Sequence, residues 1–144
     1  MSFQWHAATA GDIAFARQLT CTNMLPYYLQ HDLLWQDEAF DLAWIIRQSW
    51  IICRGDQALG FVSLSRDARA LYIRELQVGE AFRGQGAGTW AIGQVWNMVA
   101  LERRPALRLT VFKSNPARAL YERMGLRVVG EDEYFLRMQR DASA

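Results

Sequence analysis

The chain has 144 residues, of which 51% are apolar and 22% are charged, and its formal net charge is +1 at neutral pH. This composition predicts a single globular domain over residues 1–144 and excludes an intrinsically disordered chain. Because nucleic-acid binding requires a basic surface, the near-neutral balance argues against it. No apolar run approaches the roughly 20 residues that span a bilayer, and no leader-like start is visible. We therefore expect a cytoplasmic protein that binds neither membranes nor nucleic acid.

The residues that most often bind metals stand apart in the sequence. Cys21 and Cys53 form no CxxC pair, and neither His6 nor His31 has a second ligand at metal-binding spacing. We expect both cysteines to be buried free thiols in a reducing compartment, and we expect no metal.

Apolar periodicity and turn residues predict an alternation of strands and helices. In the first half of the chain, strands are predicted at 3–7, 50–53 and 59–64, a helix is predicted to begin at 9–12, and another covers 35–47. In the second half, strands are predicted at 71–78, 107–112, 128–129 and 134–138, with helices at 89–101 and from Asn115-Pro116 to Gly125. This order indicates an α/β domain with a mixed sheet.

Three glycines alternate in the stretch AFRGQGAGTW, residues 81–90, between a predicted strand and a predicted helix. The first turn of a helix presents unpaired backbone N–H groups and the positive end of the helix dipole. The absence of side chains at Gly84, Gly86 and Gly88 would let an anion approach these groups. The spacing fits neither a Walker loop nor a dinucleotide-binding fingerprint. Taken alone, it is also compatible with an ordinary turn into a helix.

Two longer stretches resemble a known family. LQVGEAFRGQGAGT resembles the acyl-CoA loop of the GNAT N-acetyltransferase superfamily, with Arg83, Gly86 and Gly88 at its defining positions. NPARALYERMGL resembles the second motif of that family, including Asn115 and Tyr121, although a leucine replaces the usual phenylalanine after the glycine. The likeness implies an α/β GNAT fold, in which a mixed, mostly antiparallel sheet is splayed between the fourth and fifth strands and flanked by helices.

The resemblance also implies a co-substrate, acetyl-CoA, and the residues that bind it. Backbone N–H groups of the glycine-rich loop would hold the pyrophosphate, and the pantetheine arm would add to the sheet like a strand. The implied cofactor-binding residues are Gln77, Val78, Arg83, Gly84, Gln85, Gly86, Ala87, Gly88, Thr89, Asn115, Arg118 and Tyr121. For Arg83, the alternative is a solvated loop arginine without a ligand.

Two residues are candidates for proton transfer. The resemblance implies that Tyr121 protonates the departing CoA thiolate, and the alternative is a buried tyrosine that hydrogen-bonds Asn115 or a backbone carbonyl. Glu75 is unusual in LYIRELQV because a central strand covered on both faces is expected to be apolar. Glu75 is either the base that deprotonates the acceptor amine or half of a structural ion pair with an arginine.

The segment MLPYYLQHDLLWQDEAFDLAW lies where the family builds its acceptor wall, and Tyr27, Tyr28 and Trp35 are candidates for that wall or for the core. Between Arg17 and Arg47 the chain has no lysine or arginine but four acids, which predict either a cationic acceptor or a solvated acidic face. These acids are Asp32, Asp37, Glu38 and Asp41.

The hypothesis from the sequence is an N-acetyltransferase that moves an acetyl group from acetyl-CoA to a primary amine of a small molecule or peptide. The amine would attack directly in a ternary complex. A polyamine, a basic peptide and an amino-drug are all compatible acceptors, and LYIRELQ with LTVFKSN shows a weaker likeness to enzymes that acetylate protein N-termini. The alternative is a non-catalytic acyl-CoA-binding regulatory module. A homodimer also remains open.

Overall fold

The computed structural model describes residues 2–142, which form one seven-stranded sheet with helices on its two faces. The strands are β1 (Phe3–Ala7), β2 (Gln48–Arg54), β3 (Gln57–Arg66), β4 (Leu71–Val78), β5 (Ala106–Phe112), β6 (Arg127–Glu131) and β7 (Phe135–Asp141). The helices are α1 (Ile13–Gln30), α2 (Asp37–Ile46), α3 (Ala87–Leu101) and α4 (Ala117–Arg123). Short 3-10 turns at Ala10–Asp12 and Glu80–Phe82 precede α1 and the glycine-rich loop. Each strand and helix predicted from the sequence is present.

The start of α3 and the end of α1 both matter for the site. Helix α3 begins at Ala87, two residues earlier than predicted, so the second half of the glycine-rich stretch forms its first turn. Helix α1 continues through Pro26 to Gln30, although a proline removes one backbone hydrogen bond from a helix interior. Its last turn is held by aromatic packing, since Tyr27 stacks on Phe112 with ring centroids 5.4 Å apart.

The sheet opens between its fourth and fifth strands. The strand order is β1-β2-β3-β4-β5-β7-β6, and every described pair of neighbours is antiparallel except β4 and β5. These two strands pair in parallel over only three residues each, 71–73 with 107–109. At the same place, Ser63 of β3 faces Glu75 and Leu64 faces Ile73, which leaves Arg74 as a bulge. The expected mixed sheet, splayed between the fourth and fifth strands, is thereby confirmed.

Separate hydrophobic cores cover the two faces of the sheet. The larger core joins β3, β4, β5 and β7 to the buried stripe of α3, which includes Ile92, Val95 and Val99. The smaller core packs α1 and α2 onto β2 and β3 through Ala16, Phe40, Ile51 and Phe61. Burial of one such large apolar side chain stabilises a fold by about 1.5–3 kcal/mol. The two cores therefore hold α1 on one side of the opening and α3 with α4 on the other.

Helix α4 is fixed at both ends as its sequence predicts. The Asn115 Oδ1 accepts the Ala117 N–H at 2.9 Å, which caps the first turn. Gly125 adopts a left-handed φ of 87°, and the N–H groups of Gly125 and Leu126 each bond to a carbonyl of the last turn at 3.0 Å. These caps determine where Tyr121 lies.

No helix in residues 2–142 is long and apolar enough to cross a bilayer. The same part of the chain has no group of three or more histidine, cysteine, aspartate or glutamate side chains placed to hold a metal ion. Cys21 and Cys53 are free thiols, as expected, but both are only partly buried. Burial nevertheless raises the pKa of the Cys53 thiol.

Candidate functional site

A cleft of about 740 Å³ occupies the opening between β4 and β5. Helix α1 contributes Asn23, Met24 and Tyr27 to its wall, and the ends of β4 and β5 form its base. The glycine-rich loop with the first turn of α3 lies on one side, and α4 closes the other. The diverging strands thus bring together two motifs that are separated along the sequence by a helix and a strand.

The glycine-rich loop presents backbone N–H groups at the start of α3. Gly84 and Gly86 have φ angles of 75° and 92°, in the left-handed region that favours glycine. The first helical bond runs from the Trp90 N–H to the Gly86 carbonyl at 2.9 Å. The three N–H groups before it have no partner within the helix, and they lie at the positive end of its dipole. This geometry suits an anion.

Gly88 has a different role from the one that the sequence suggests. A Cβ atom there would lie 3.1 Å from the Leu120 side chain, so its absence lets α3 approach α4. A Cβ atom on Gly84 would have no neighbour within 4 Å. Gly84 is therefore required for its backbone angle, and Gly88 for close packing between helices.

Four polar side chains form a continuous hydrogen-bonded chain along one side of the cleft. Arg83 donates to the Asn23 Oδ1 at 2.6 Å, and the Asn23 amide donates to the Gln77 Oε1 at 3.1 Å. The Gln77 amide then donates to the Glu75 Oε1 at 2.9 Å. The Val78 carbonyl accepts a further bond from Asn23 at 3.1 Å. This chain joins the glycine-rich loop to the carboxylate on β4.

Glu75 lies in the cleft without a contact ion pair. Burial raises the pKa of its carboxyl group, and the Gln77 hydrogen bond and the positive charge of Arg47 oppose that rise. Within residues 2–142, no lysine or arginine nitrogen forms a salt bridge with it. The structure thus gives no support to the alternative of a structural ion pair. A carboxylate with a raised pKa in a cleft is suited to accept a proton.

Tyr121 reaches the same cleft from α4. Its side chain is buried, and this burial, with the negative charge of Glu75 as a smaller cause, raises the pKa of the phenol to about 12. Among the described residues, the hydroxyl bonds neither to Asn115 nor to a backbone carbonyl, and the Asn115 oxygen is used by the helix cap. The phenol therefore stays protonated at neutral pH and is available to a ligand.

Most of the predicted cofactor-binding residues lie together. Ten of the twelve line the cleft: Gln77, Val78, Arg83, Gly84, Gly86, Ala87, Gly88, Thr89, Asn115 and Tyr121. The remaining two lie outside its wall. The Gln85 side chain accepts a bond from Arg54 at 2.7 Å behind the loop, and Arg118 pairs with Glu122 at 3.2 Å on α4.

The predicted acceptor wall is only partly present. Tyr27 lines the cleft, whereas Tyr28 and Trp35 pack edge to face behind it, with ring centroids 5.6 Å apart. None of the four acids between Arg17 and Arg47 belongs to the described wall, and Asp41 forms an ion pair with Arg17 at 2.9 Å. These acids therefore give the cleft itself no negative charge, and a cationic acceptor stays a prediction.

Asn23 and Met24 line the cleft but were not predicted from the sequence. Asparagine disfavours the interior of a helix because its side chain competes for backbone groups, so a half-buried asparagine in α1 needs a compensating contact. That unusual placement is the one sequence feature that points to Asn23. Met24 carried no such indication, since methionine is common in ordinary cores.

Solved structures of low sequence identity share this fold. The PaiA N-acetyltransferase from Thermoplasma acidophilum in complex with coenzyme A superimposes with a TM-score of 0.79 at 13% identity, covering 99% of this chain and 100% of that one. A GNAT family acetyltransferase from Elizabethkingia anophelis with acetyl-CoA bound gives 0.73 at 15% identity, covering 97% and 98%. The ribosomal-protein-S18-alanine N-acetyltransferase from Escherichia coli gives 0.78 at 16% identity, covering 99% and 96%.

Family membership follows from the sequence model that matches the chain. No curated protein matches the chain significantly in sequence. The model described as "Acetyltransferase (GNAT) family" matches residues 16–126, which include most of α1, the glycine-rich loop and α4. This match confirms the family expected from the two motifs, and the chain belongs to the acetyltransferase (GNAT) family.

Proposed function

We propose that this protein transfers the acetyl group of acetyl-CoA to a primary amine of a small molecule or peptide, by direct attack within a ternary complex. The observation that carries the proposal is the joint placement of Glu75 and Tyr121 in one cleft with the glycine-rich loop. The coenzyme A and acetyl-CoA complexes of the structural neighbours support this choice of co-substrate.

The loop and β4 provide complementary sites for the two parts of acetyl-CoA. Unpaired N–H groups at the start of α3 and the guanidinium of Arg83 would hold the pyrophosphate. Beyond Ile73, the side of β4 that faces β5 has no paired strand in the described structure. The pantetheine amides would bond to this free edge as an added strand does. The thioester would then lie near Glu75 and Tyr121.

The reaction needs one base and one acid. An alkylamine with a pKa of about 10.4 is almost fully protonated at neutral pH, and Glu75 would remove that proton directly or through water. The amine nitrogen then forms a bond to the thioester carbonyl carbon, and the C–S bond breaks as the tetrahedral intermediate collapses. The departing sulfur takes the Tyr121 proton, and the attacking nitrogen, which carries one proton more than the amide product, returns a proton to the phenolate directly or through water. The products are an amide and CoA.

The acceptor side of the cleft is mainly apolar. Met24, Tyr27 and Phe112 line it, and Glu75 is the only acidic side chain in the described wall. This composition fits one amine presented on an apolar or aromatic group better than a polyamine. The name of the Escherichia coli neighbour refers to a protein acceptor, which supports the inclusion of peptides.

The test is thiol release from acetyl-CoA across a panel of amines, with product mass as confirmation. The panel should contain a polyamine, a basic peptide, a peptide with an apolar N-terminal residue and an amino-drug. We expect amine-dependent release with at least one peptide or apolar amine. If acetyl-CoA binds and no amine is acetylated, the protein is a non-catalytic acyl-CoA-binding module.

A further inference from the structure

Asn23 connects the two halves of the site. It lies in the interior of α1, yet its amide bonds to the loop residue Arg83 and to the β4 residue Gln77. Gln77 is almost fully buried, at 8% exposure, and its amide is in turn bonded to Glu75. The hydrogen-bonded side chains therefore connect a permanent cation, through two amides, to a carboxylate.

The charges at the ends of this chain determine how both amides are oriented. An arginine can only donate hydrogen bonds, so the Asn23 oxygen faces Arg83 and the Asn23 NH₂ group faces Gln77. The Gln77 oxygen must accept that bond, which leaves its NH₂ group to donate to Glu75. A reversed Gln77 amide would place its NH₂ group against the NH₂ group of Asn23 and its oxygen against the Glu75 carboxylate. One arrangement alone satisfies all of the groups.

We propose that Asn23 is a positioning residue that links the cofactor-side arginine to the candidate base, by holding the Gln77 amide in the orientation that donates to Glu75. The proposal rests on the role of Glu75 proposed above. It also explains why α1, which carries no residue of either family motif, contributes a buried polar contact to β4. Its consequence is that the ionised form of Glu75, which accepts the Gln77 hydrogen bond, is favoured relative to the same cleft without that bond.

Other charged or titratable groups near Glu75 lie on neighbouring elements. Burial raises the pKa values of Glu75, Tyr28 on α1 and Tyr121 on α4. The charge of Arg47, directly after α2, opposes the rise at Glu75, and the negative charge of Glu75 adds to the rise at the two tyrosines. Arg74 on the same strand is bonded to Ser65 at 2.7 Å. None of these residues orients the Gln77 amide, so removal of Asn23 should change the Glu75 titration while leaving them in place.

The experiment is an NMR titration of the ¹³C-labelled glutamate carboxylates in the full chain, with the Glu75 signal assigned by its loss in Glu75→Gln. In Asn23→Ala, the Glu75 midpoint should rise by about 0.5–1 pH unit, since a net hydrogen bond of about 1 kcal/mol is lost from the charged form. Thr22→Ala is the matched control, because it removes a bond from Gln18 at 3.1 Å on the exposed face of the same helix. The Glu75 titration midpoint in Thr22→Ala should equal that of the wild type.

The route through Gln77 is tested by a double-mutant cycle. Gln77→Leu alone should raise the Glu75 midpoint, and Asn23→Ala should add little in that background. An unchanged midpoint in Asn23→Ala, or a full additional shift in the Gln77→Leu background, would overturn the proposal. If Asn23→Ala does not fold, Asn23→Asp takes its place: it keeps the size and the Arg83 contact but cannot donate to Gln77, and an unchanged midpoint there counts against the proposal.

Kinetics separate this proposal from the role of Glu75 as the base. The pH profile of kcat/KM is measured with the amine that gives the fastest thiol release. Asn23→Ala could change the Glu75 titration midpoint without changing the pH at which kcat/KM falls on the acidic side of the profile. In that case Asn23 influences Glu75 as proposed, but Glu75 is not the base. If Glu75→Gln removes the acidic limb while Asn23→Ala leaves the midpoint unchanged, Glu75 is the base and the coupling is refuted.

Discussion

The two walls of the cleft differ in how directly the sequence encodes them. The proposed cofactor wall consists of the glycine-rich loop and the capped helix α4, whose geometry depends on backbone angles and on hydrogen bonds between near neighbours. The proposed acceptor wall consists of Met24 and Tyr27 on α1 with Phe112 on β5, and α1 is placed by packing onto β2 and β3 and by the stacking of Tyr27 on Phe112. Structure that depends on a few neighbouring residues can be predicted from a sequence motif, whereas packing between distant segments cannot. The cofactor wall can therefore be predicted from motifs, and the acceptor wall cannot.

The largest effect on turnover is expected from Glu75→Gln, because Glu75 lies where the two walls of the cleft meet. If Glu75 is the base, turnover should fall on the order of 10²–10³-fold. The wild-type rate should fall as the pH drops through the raised pKa of the carboxyl group, because only the ionised form accepts a proton. A pH–rate profile of both proteins measures this. Turnover within threefold of the wild type across the pH range would exclude Glu75 as the base.

A thermal melt of Glu75→Gln distinguishes a base from a stabilising ion pair. A carboxyl group whose pKa is raised by folding stabilises the protein below its unfolded pKa, and this contribution is lost as the pH rises through the folded pKa. The ionised group therefore favours unfolding at neutral pH. The variant should melt at the same temperature as the wild type or higher, whereas loss of a buried ion pair would lower Tm by several degrees.

Tyr121→Phe tests the side of the cleft formed by α4. The substitution removes only the hydroxyl, so the packing of the ring and the caps of the helix should be retained. We expect turnover to fall on the order of 10²-fold while acetyl-CoA affinity changes little, which is typical of the loss of one positioned acid. Steady-state kinetics with calorimetry of acetyl-CoA binding provide both values. Unaltered turnover under conditions where chemistry is rate-limiting would assign Tyr121 to packing alone.

Particular residues show where sequence reasoning succeeds. Asn115 and Gly125 were identified as the two ends of a helix, since an asparagine that caps a first turn and a glycine that adopts a positive φ act within a few residues. The mixed sheet and its opening between the fourth and fifth strands followed from the family resemblance. A carboxylate is unexpected in a central strand such as LYIRELQV, which identified Glu75 as a candidate functional residue, and Glu75 lies in the cleft.

Other residues show why the rest of the site could not be predicted from the sequence. Gln85 belongs to the loop motif, yet its side chain turns to Arg54 on β2, which is 31 positions away along the chain. The four acids of the N-terminal third are close together in the sequence, but the course of α1 and α2 keeps them out of the cleft. Asn23 and Gln77 are separated by 54 positions. Contacts of this kind depend on the tertiary fold, which no local pattern specifies.

Gly84 provides a more sensitive test of the cofactor wall. Since a Cβ atom would meet nothing there, a substitution acts only through the positive φ. Gly84→Val should weaken acetyl-CoA binding by about 10-fold or more, because a β-branched residue disfavours that angle by about 1–3 kcal/mol. Gly84→Asn is the matched control and should bind more tightly than the valine variant, because asparagine tolerates the left-handed region. Equal affinities of the two variants, by calorimetry, would show that the backbone angle does not control binding.

The smallest effect is expected on the acceptor side, from the double variant Asp32→Asn with Glu38→Gln. Both side chains are absent from the described wall of the cleft, and neither forms an ion pair in the described structure. Solvent and salt screen exposed charges of this kind at distances beyond about 8–10 Å. The KM for any amine of the panel should stay within about twofold of the wild type at physiological ionic strength.

The measurement should include the polyamine and the basic peptide, since attraction between the acids and a cationic acceptor would be greatest there. A tenfold rise in KM for these two acceptors, with no change for an apolar amine, would mean that the acceptor site extends beyond the cleft onto α2 and the loop before it. In that case the acceptor wall would be encoded partly by local charge, and the contrast between the two walls would be smaller than the structure indicates.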